Sequence, residues 1–391
     1  MHMIILSIET SCDETAVSIV RADGEFPNAT YTILGNALFS QIDIHKEYGG
    51  VFPAVAKREH AKTLVPMLEK AFHAAGFHEK AEPLSRETEE EIHAILHREP
   101  TLGDAFISFL DSHGKPAIDL IAVTVGPGLE PTLWVGINFA RALSYTWNIP
   151  VVPVNHMEGH ILSSIFTGER LPPIEFPACA LLVSGGHTEL DLMERWGDYE
   201  CIGETRDDAV GEAFDKVARM LGLPYPGGPE VGKRAAVARE RDLPTYAPLP
   251  RPMLDAPNFD FSFSGLKTAV RYAIADRTLS DDDVSALCRD FEDAAVDVLL
   301  GKSTRAAIIH GIRTLIVGGG VSANTHLRDR FNTYFTEHYP DLTVYFPPRE
   351  LSTDNSVMIA LAGHSRAEEA QMHQAFSKVT ADGNLSLHTK S

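Results

Sequence analysis

The sequence has few cysteines and no long apolar run. Cys12, Cys179, Cys201 and Cys288 are scattered over 391 residues, a spacing that indicates neither a disulfide framework nor a cysteine-rich zinc site. No run approaches the roughly 20 apolar residues that a membrane span needs. The N-terminal residues show neither the basic segment of a signal peptide nor the arginine- and serine-rich character of a transit peptide. We therefore expect a protein of the reducing cytoplasm.

Positive charge is also scarce. The chain has 34 Lys and Arg residues against 54 Asp and Glu residues, a net charge of −20, which opposes non-specific adhesion to nucleic acid. A protein of this charge that handles RNA needs a local basic patch or partner proteins. A helix predicted from Pro53 to Phe72 carries Lys57, Arg58, His60 and Lys62. A surface that faces RNA and an ordinary solvated surface explain this basic face equally well.

The apolar pattern alternates between strands and helices and occurs twice. At 44% apolar and 23% charged residues, the composition is that of a globular protein, and the chain is long enough for two domains. The stretches Ile4–Val20 and Ala180–Leu190 each predict a strand, a polar turn and a second strand. Two such hairpins in the two halves of the chain indicate an internal duplication. Residues 78–113, rich in Glu and His, predict a surface-packed insertion rather than a separate domain, with its histidines on the surface.

Two histidines follow the apolar stretch Val151–Val154. On a helix, His156 and His160 share one face, because four residues of about 100° each leave an offset of about 40°. Glu158 faces away from them, so the pattern differs from the H-E-x-x-H of zincins, whose glutamate is a general base. The spacing predicts a metal site without a metalloprotease mechanism. An ordinary pair of half-buried helix histidines is the alternative.

A third ligand is available near the end of the chain. Ser352–Asn355 precede a helix predicted from Ser356 to Glu369, and from the local sequence Asp354 is explained as its N-cap. Asp354 is also the best-placed carboxylate to complete a His/His/Asp site if the two halves of the chain face each other. Three protein ligands would leave open positions for a substrate.

Glycine and hydroxyl residues follow several predicted strands. Glu9–Thr15 forms a hairpin tip, Ser184–Gly186 a second one, and Gly318–Gly320 opens a strand into a helix. Backbone N–H groups at such turns and helix starts can hold a phosphate or a ribose. Close packing of strand ends is the alternative explanation of the glycines.

Nine segments of the chain together resemble the family of tRNA adenosine threonylcarbamoyltransferases, formerly named O-sialoglycoprotein endopeptidases. In chain order the matching segments are Ile8–Thr15, Gly126–Leu129, Asn155–His160, Leu182–Thr188, Gly211–Lys216, Tyr225–Pro229, Phe261–Lys267, Gly318–Asn324 and Thr353–Asn355. They cover nearly the whole chain in order, and only residues 78–113 have no counterpart. The residue pattern is closer to the bacterial members than to the archaeal ones.

The resemblance implies an actin/Hsp70/sugar-kinase-like (ASKHA) fold, in which two duplicated α/β domains surround a nucleotide cleft. We assign residues 1–150 and about 345–391 to the first domain, with the insertion at about 78–113, and residues 151–344 to the second. The implied reaction transfers a threonylcarbamoyl group from threonylcarbamoyl-AMP to the N6 amine of adenosine 37 in tRNAs that read codons starting with A. The implied partners are tRNA, a TsaB-like paralogous subunit and a TsaE-like ATPase.

The resemblance also assigns roles to individual residues. His156, His160 and Asp354 are implied to bind Fe²⁺, with Zn²⁺ as the alternative metal. The adenylate-binding residues, where ATP or ADP would also fit, are implied to be Leu182, Val183, Ser184, Gly185, Gly186, Asp215, Gly228 and Asn324. Asp13 and Glu14 lie where the family has acidic residues near the reaction centre, but the sequence does not identify the base. Gly232 departs from the acidic or polar residue of many relatives, which puts a ribose contact there in doubt.

Two further interpretations compete with the transferase. A kinase of the same fold would bind Mg²⁺ through carboxylates and water, and the pair His156/His160 argues against it. A non-catalytic scaffold descended from the fold would be expected to lose the metal and glycine motifs, and all of them are present.

Overall fold

The chain divides into two compact units. The computed structural model describes residues 2–388. The first unit comprises Met1–Pro173 and Asp354–Leu387, and the second comprises Ile174–Thr353 and His388–Ser391. The strands in chain order are β1 (His2–Glu9), β2 (Glu14–Asp23), β3 (Thr30–Ser40), β4 (Leu120–Gly126), β5 (Val151–Asn155), β6 (Ala178–Val183), β7 (Thr188–Arg195), β8 (Asp198–Glu204), β9 (Thr314–Gly318) and β10 (Thr343–Tyr345).

Helices flank both sets of strands. They are α1 (Ile42–Lys46), α2 (Pro53–Ala75), α3 (Arg86–Ile95), α4 (Pro100–Leu110), α5 (Glu130–Trp147), α6 (His156–Ile165), α7 (Val210–Met220), α8 (Gly227–Glu240), α9 (Ser264–Ile274), α10 (Asp281–His310), α11 (Thr325–His338), α12 (Ser356–Ser365) and α13 (His373–Phe376). Short 3₁₀ helices lie at Gly320–Ala323, Arg349–Leu351 and Ala367–Glu369. Within the described residues, no helix is long and apolar enough to cross a membrane.

Each unit contains one five-stranded mixed sheet, and the two sheets share one topology. The first has the order β3-β2-β1-β4-β5, and the second, read in the matching direction, β8-β7-β6-β9-β10. In both, the first strand pairs antiparallel with its hairpin partner and parallel with the strand on its other side. The structure thus confirms the internal duplication that the two hairpins predict.

Continuous apolar runs explain the central strands. Every residue of β4 is buried, as is typical of a parallel strand covered on both faces. Helix ends also follow the sequence. The long helix α10 begins with a capping box of Ser280 and Asp283 and ends at Gly311, whose φ of 61° suits glycine.

The boundary between the units differs from the predicted division at residue 150. Strand β5 pairs in parallel with β4, so β5 and the following helix α6 belong to the first unit. The return to the first unit comes at Asp354 rather than near residue 345, because β10 completes the second sheet by pairing with β9.

The Glu- and His-rich segment 78–113 contributes to the core of the first unit. It forms α3 and α4, and Ile92, Leu96, Leu102 and Phe106 are fully buried within the hydrophobic cluster of that unit. It is an integral part of the first unit, whereas the sequence predicts surface packing. The charged residues of α3 cover the outside, since its single buried residue is Ile92.

Candidate functional site

Two helix starts in the first unit bring the histidines and Asp354 together. Asn155 caps α6 by accepting a hydrogen bond from the backbone N–H of Met157 at 2.8 Å, so His156 and His160 occupy the first two turns. The N-cap of α12 is Asn355, whose side-chain oxygen accepts a hydrogen bond from the backbone N–H of Met358 at 3.0 Å. Asp354 is therefore not the N-cap that the local sequence suggests, and its carboxylate lies against the histidines.

The three predicted ligands have the spacing of a metal site. The Oδ1 atom of Asp354 lies 3.4 Å from Nε2 of His156 and 3.2 Å from Nε2 of His160. One ligand atom from each residue lies within 4.8 Å of the others. Ligand atoms about 2.1 Å from one ion in a tetrahedral or octahedral arrangement are about 3.0–3.4 Å apart, so these distances fit a single bound ion.

A buried nitrogen without a hydrogen-bond partner supports this fit. His160 is 1% exposed, and the alignment of its Nε2 with Asp354 is not that of a hydrogen bond, so the atom has no such partner among the described residues. Leaving a buried polar atom unsatisfied costs about 1–3 kcal/mol. Nitrogen and carboxylate donors with open positions suit iron(II) or zinc, so the residues present fit the implied group.

A second carboxylate orients the first histidine. Oε2 of Glu9 lies 3.1 Å from Nδ1 of His156, and Oγ of Ser11 lies 3.2 Å from the same nitrogen. An ionised carboxylate only accepts hydrogen bonds, so Nδ1 carries a proton, and Nε2, on the side of Asp354, is the nitrogen that a metal ion would bind in place of a proton. This role of Glu9 is not among the sequence predictions, although an acid directly after the buried strand Ile4–Ile8 is a signal for it.

The electrostatics of the cluster follow from burial and charge pairing. Burial lowers the pKa of His156, but Asp354 and Glu9 outweigh burial and raise this pKa well above its usual value. Burial and the neighbouring His156 lower the pKa of His160. Burial alone would raise the pKa of Asp354, but the two histidines hold it far below its usual range. A metal ion would compete with protons for the same nitrogens.

Asp13 and Glu14 lie in the hairpin that follows Ser11. Both are 8% exposed, and Glu14 accepts a hydrogen bond from Oγ of Ser40 at 3.2 Å. Burial, and then repulsion from Asp13 and Asp354, raise the pKa of Glu14 well above its usual value. The pKa of Asp13 is also raised, mainly by burial and, among the neighbouring charges, by repulsion from Asp354. The structure thus places both predicted acids within electrostatic reach of Asp354.

The basic face predicted on α2 is largely neutralised. Glu59 lies 3.2 Å from Arg58 and 2.7 Å from Lys62, and Glu99 lies 3.0 Å from Lys57. His60 is fully buried and does not belong to this face. The interpretation as an ordinary solvated surface is therefore the better of the two for the described residues.

In the second unit, the predicted adenylate residues collect where β6 and β9 end. These parallel strands pair Leu182 with Gly318, so the turn after Val183 and the glycines after β9 lie at one sheet edge. Oγ of Ser184 accepts the N–H groups of Gly186 and His187 at 3.3 and 3.0 Å, which holds the glycine turn open. This edge matches the position where open α/β sheets bind ligands.

Two helix starts meet the same edge. Asp215 on α7 accepts the N–H of Gly227 at 2.7 Å, which positions Gly228 in the first turn of α8. Asn324 caps α11 by accepting the N–H of Leu327 at 2.8 Å.

Glu292, which is not among the residues predicted from the sequence, also belongs to this group. Its Oε1 accepts a hydrogen bond from the amide of Asn324 at 2.6 Å, and its partner on the other side is Arg239. A Cβ atom at Gly232 would lie 3.4 Å from Glu292 and 3.6 Å from Asn324. Position 232 therefore lies next to Asn324 and Glu292, and because it is a glycine it contributes no side chain there.

Comparison with known proteins agrees with this architecture. A crystal structure of HypF from T. kodakarensis superimposes with a TM-score of 0.50 at 13% identity, covering 94% of this chain and 49% of that chain, a likeness of fold alone. The family model of TsaD, tRNA N6-adenosine threonylcarbamoyltransferase, matches residues 32–81 and 107–361. Its gap falls within the segment 78–113.

Relatives match along almost the whole chain. A tRNA N6-adenosine threonylcarbamoyltransferase from Ralstonia pickettii (strain 12J) is 41% identical over 381 residues, which cover 96% of this chain and 95% of the relative. The protein of the same name from Bacillus subtilis (strain 168) is 40% identical over 363 residues, which cover 92% and 90%.

The fold and the comparisons define a class, the duplicated α/β proteins of the actin/Hsp70/sugar-kinase type. Within that class, the chain belongs to the family of tRNA N6-adenosine threonylcarbamoyltransferases and is accordingly a transferase.

Proposed function

We propose that this protein transfers the threonylcarbamoyl group of threonylcarbamoyl-AMP to the N6 amine of adenosine 37 in tRNAs that read codons starting with A. The observation that carries the proposal is the cluster of His156, His160 and Asp354, in which the buried Nε2 of His160 makes no hydrogen bond among the described residues, in a chain of this family. The cluster also favours the transferase over a kinase, whose Mg²⁺ site needs no imidazole pair.

The donor determines what the protein must do. Threonylcarbamoyl-AMP is a mixed anhydride and is already activated, so no covalent nucleophile on the enzyme is required. Its binding residues mainly hold the reacting atoms in place. Bound by His156, His160 and Asp354, Fe²⁺, or Zn²⁺, would supply a Lewis acid for the threonyl and carbonyl oxygens.

The glycine edge of the second unit would hold the adenylate. The open turn Ser184–Gly186 offers backbone N–H groups, and the starts of α8 and α11 add the positive ends of two helix dipoles. Asp215, Gly228 and Asn324 lie at these starts, while Leu182 and Val183 form the buried strand end beneath them. The same groups would accommodate ATP or ADP.

The acceptor is a base in a single-stranded loop, which can be displaced into a site without opening a duplex. Asp13 and Glu14 are our candidates for receiving the proton of the attacking amine, since their hairpin also carries Ser11, a neighbour of His156. Because the chain has a net charge of −20, we propose that a TsaB-like paralogous subunit and a TsaE-like ATPase assist it in holding tRNA.

A transfer assay tests the proposal. Full-length protein loaded with Fe²⁺ is incubated with threonylcarbamoyl-AMP and a suitable tRNA, with and without the two partners, and the nucleosides are analysed by mass. We expect the modified adenosine from the wild type and a loss of at least a hundredfold from the double variant His156→Ala, His160→Ala.

The matched control is His93→Ala, His97→Ala, a histidine pair with the same spacing in the segment 78–113, which should retain activity. Full transfer by the His156/His160 variant would refute the metal role. No product from folded, metal-loaded wild type under any combination of partners would favour the scaffold.

A further inference from the structure

A second cluster of metal-binding side chains lies on the sheet of the second unit. In the register of β7 and β8, Asp191 is directly opposite Cys201. Opposed residues of neighbouring strands project from the same face, with Cβ atoms about 4.5–5.5 Å apart. Leu190 and Leu192 belong to the hydrophobic core of the unit, so by alternation Asp191 and Cys201 lie on the other face of the sheet.

His388 completes this cluster. Its Nε2 lies 3.6 Å from Oδ1 of Asp191, and its Nδ1 lies 3.0 Å from the backbone nitrogen of Cys201 and 3.2 Å from the carbonyl oxygen of Tyr199. When Nδ1 carries the ring proton it donates to the carbonyl oxygen of Tyr199, and the lone pair of Nε2 is then directed toward the carboxylate of Asp191. One ligand atom each from Asp191, Cys201 and His388 lies within 4.8 Å of the others.

Asp191 is buried without the partners that a carboxylate requires. It is 0% exposed, and neither of its oxygens has a hydrogen-bond partner among the described residues. Buried carboxylates in proteins are normally paired, hydrogen-bonded or bound to a metal. A cation bound between Asp191 and His388 would supply the partner that these oxygens lack.

We propose that Asp191, Cys201 and His388 form a second metal site, separate from the cluster of His156, His160 and Asp354, for a zinc-type divalent transition-metal ion. A thiolate, an imidazole and a carboxylate are ligands of zinc and cobalt, whereas Mg²⁺ and Ca²⁺ select oxygen ligands alone. A water molecule would take the fourth position.

The bound ion would fasten His388 to the pair of strands. Binding replaces the thiol proton of Cys201, and any proton on Asp191, by the metal, so both protons leave to solvent. The role we infer is structural, because the site joins two strands to a segment distant in sequence and none of the predicted adenylate residues takes part. It does not depend on the transfer reaction.

Cobalt binding to the full-length chain tests this site, because a thiolate ligand gives Co²⁺ a near-ultraviolet charge-transfer absorption. The background is His156→Ala, His160→Ala, which removes the first cluster. Metal-free protein is titrated with Co²⁺, and bound metal is measured after desalting. We expect one equivalent of Co²⁺ with thiolate absorption, and the loss of both in Cys201→Ser and of most binding in His388→Ala.

Cys288→Ser and Cys12→Ser are matched controls that should retain the absorption. Circular dichroism verifies folding, and His388→Ala decides the matter if Cys201→Ser does not fold. Absence of thiolate absorption in the folded background protein, or its persistence in folded Cys201→Ser, would overturn the proposal. Neither outcome bears on the transfer assay, since this measurement uses no substrate and lacks the first cluster.

Discussion

At the scale of single residues, the carboxylate of Glu9 orients His156 of the first cluster. Glu9 lies at the end of β1. Its carboxylate accepts hydrogen bonds from Nδ1 of His156, from the backbone N–H of Ser11 and from the hydroxyl of Thr124. Groups that orient a metal-binding histidine in this way commonly contribute 10–100-fold to metal affinity.

We therefore predict that Glu9→Gln weakens Fe²⁺ or Zn²⁺ binding by about 10–100-fold, because the neutral amide orients His156 less firmly and makes its nitrogen less basic. Competition with a chelator of known affinity measures the change, and the exposed Glu25→Gln serves as the control. Equal affinity of both variants would show that Glu9 does not support the site.

His60 predicts a dependence of stability on pH. It is fully buried, with its Nδ1 2.8 Å from the hydroxyl of Thr15 and its Nε2 2.9 Å from the carbonyl of Cys12. Burial lowers its pKa from 6.5 to about 4. Between pH 4 and pH 6.5 this histidine binds a proton in the unfolded chain but not in the folded protein. The contribution of neutral His60 to the free energy of unfolding is therefore complete above pH 6.5 and is lost as the pH falls toward 4.

By this linkage, the free energy of unfolding falls by about 2 kcal/mol from pH 7.5 to pH 5 on account of this residue alone. Urea denaturation of wild type and His60→Gln at both pH values isolates the effect, because all other titrations cancel in the difference. Parallel losses of stability in the two proteins would contradict the assignment.

At the scale of elements, the ends of parallel strands create the candidate adenylate site. Gly319 follows β9 with a φ of 86°, and a Cβ there would lie 2.5 Å from the carbonyl oxygen of Val183 at the end of β6. Gly320, its neighbour, has no atom within 4 Å of such a Cβ. The close approach of two backbones therefore requires glycine at position 319, whereas position 320 has room for a side chain.

We predict that Gly319→Ala lowers the free energy of unfolding by about 2–4 kcal/mol, since the backbone clash and the positive φ act together. Gly320→Ala should change stability by less than about 1 kcal/mol. Thermal and urea denaturation of the two variants provide the comparison, and similar losses in both would refute this account of the strand ends.

At the scale of the whole molecule, the core of the first unit is assembled from segments that are distant in the chain. Phe106, from the segment without a match in the family model, and Phe376, near the C-terminus, are both fully buried in that core. Phe106 packs edge-to-face against Phe139 of α5 with ring centroids 5.3 Å apart. The segment therefore stabilises the unit that carries the cluster of His156, His160 and Asp354.

We expect Phe106→Ala to destabilise the protein by about 3–5 kcal/mol, the usual cost of a cavity left by a buried phenylalanine. Phe52→Ala, at a position 52% exposed, is the matched control and should have a small effect. Denaturant unfolding of both variants measures this difference, and a loss below about 1 kcal/mol for Phe106→Ala would restore the view of a surface insertion.

Sequence alone determined the features that depend on local pattern. The spacing of His156 and His160, the duplicated hairpins, the glycine turns after strands and the nine family segments can all be recognised from residues close together in the chain. Because side-chain periodicity reflects the geometry of a single helix or strand, such patterns predict elements and ligand types without knowledge of packing.

Tertiary structure decided what depends on contacts between distant segments. The local sequence predicts that Asp354 is an N-cap. Its carboxylate lies 3.2 Å from Nε2 of His160 only because α12 packs against α6. Packing between distant segments likewise places Glu9 beside His156, buries one face of residues 78–113 and brings His388 beside Asp191. Each of these depends on residues that meet only when the chain has folded, because no local periodicity records which distant side chains become neighbours.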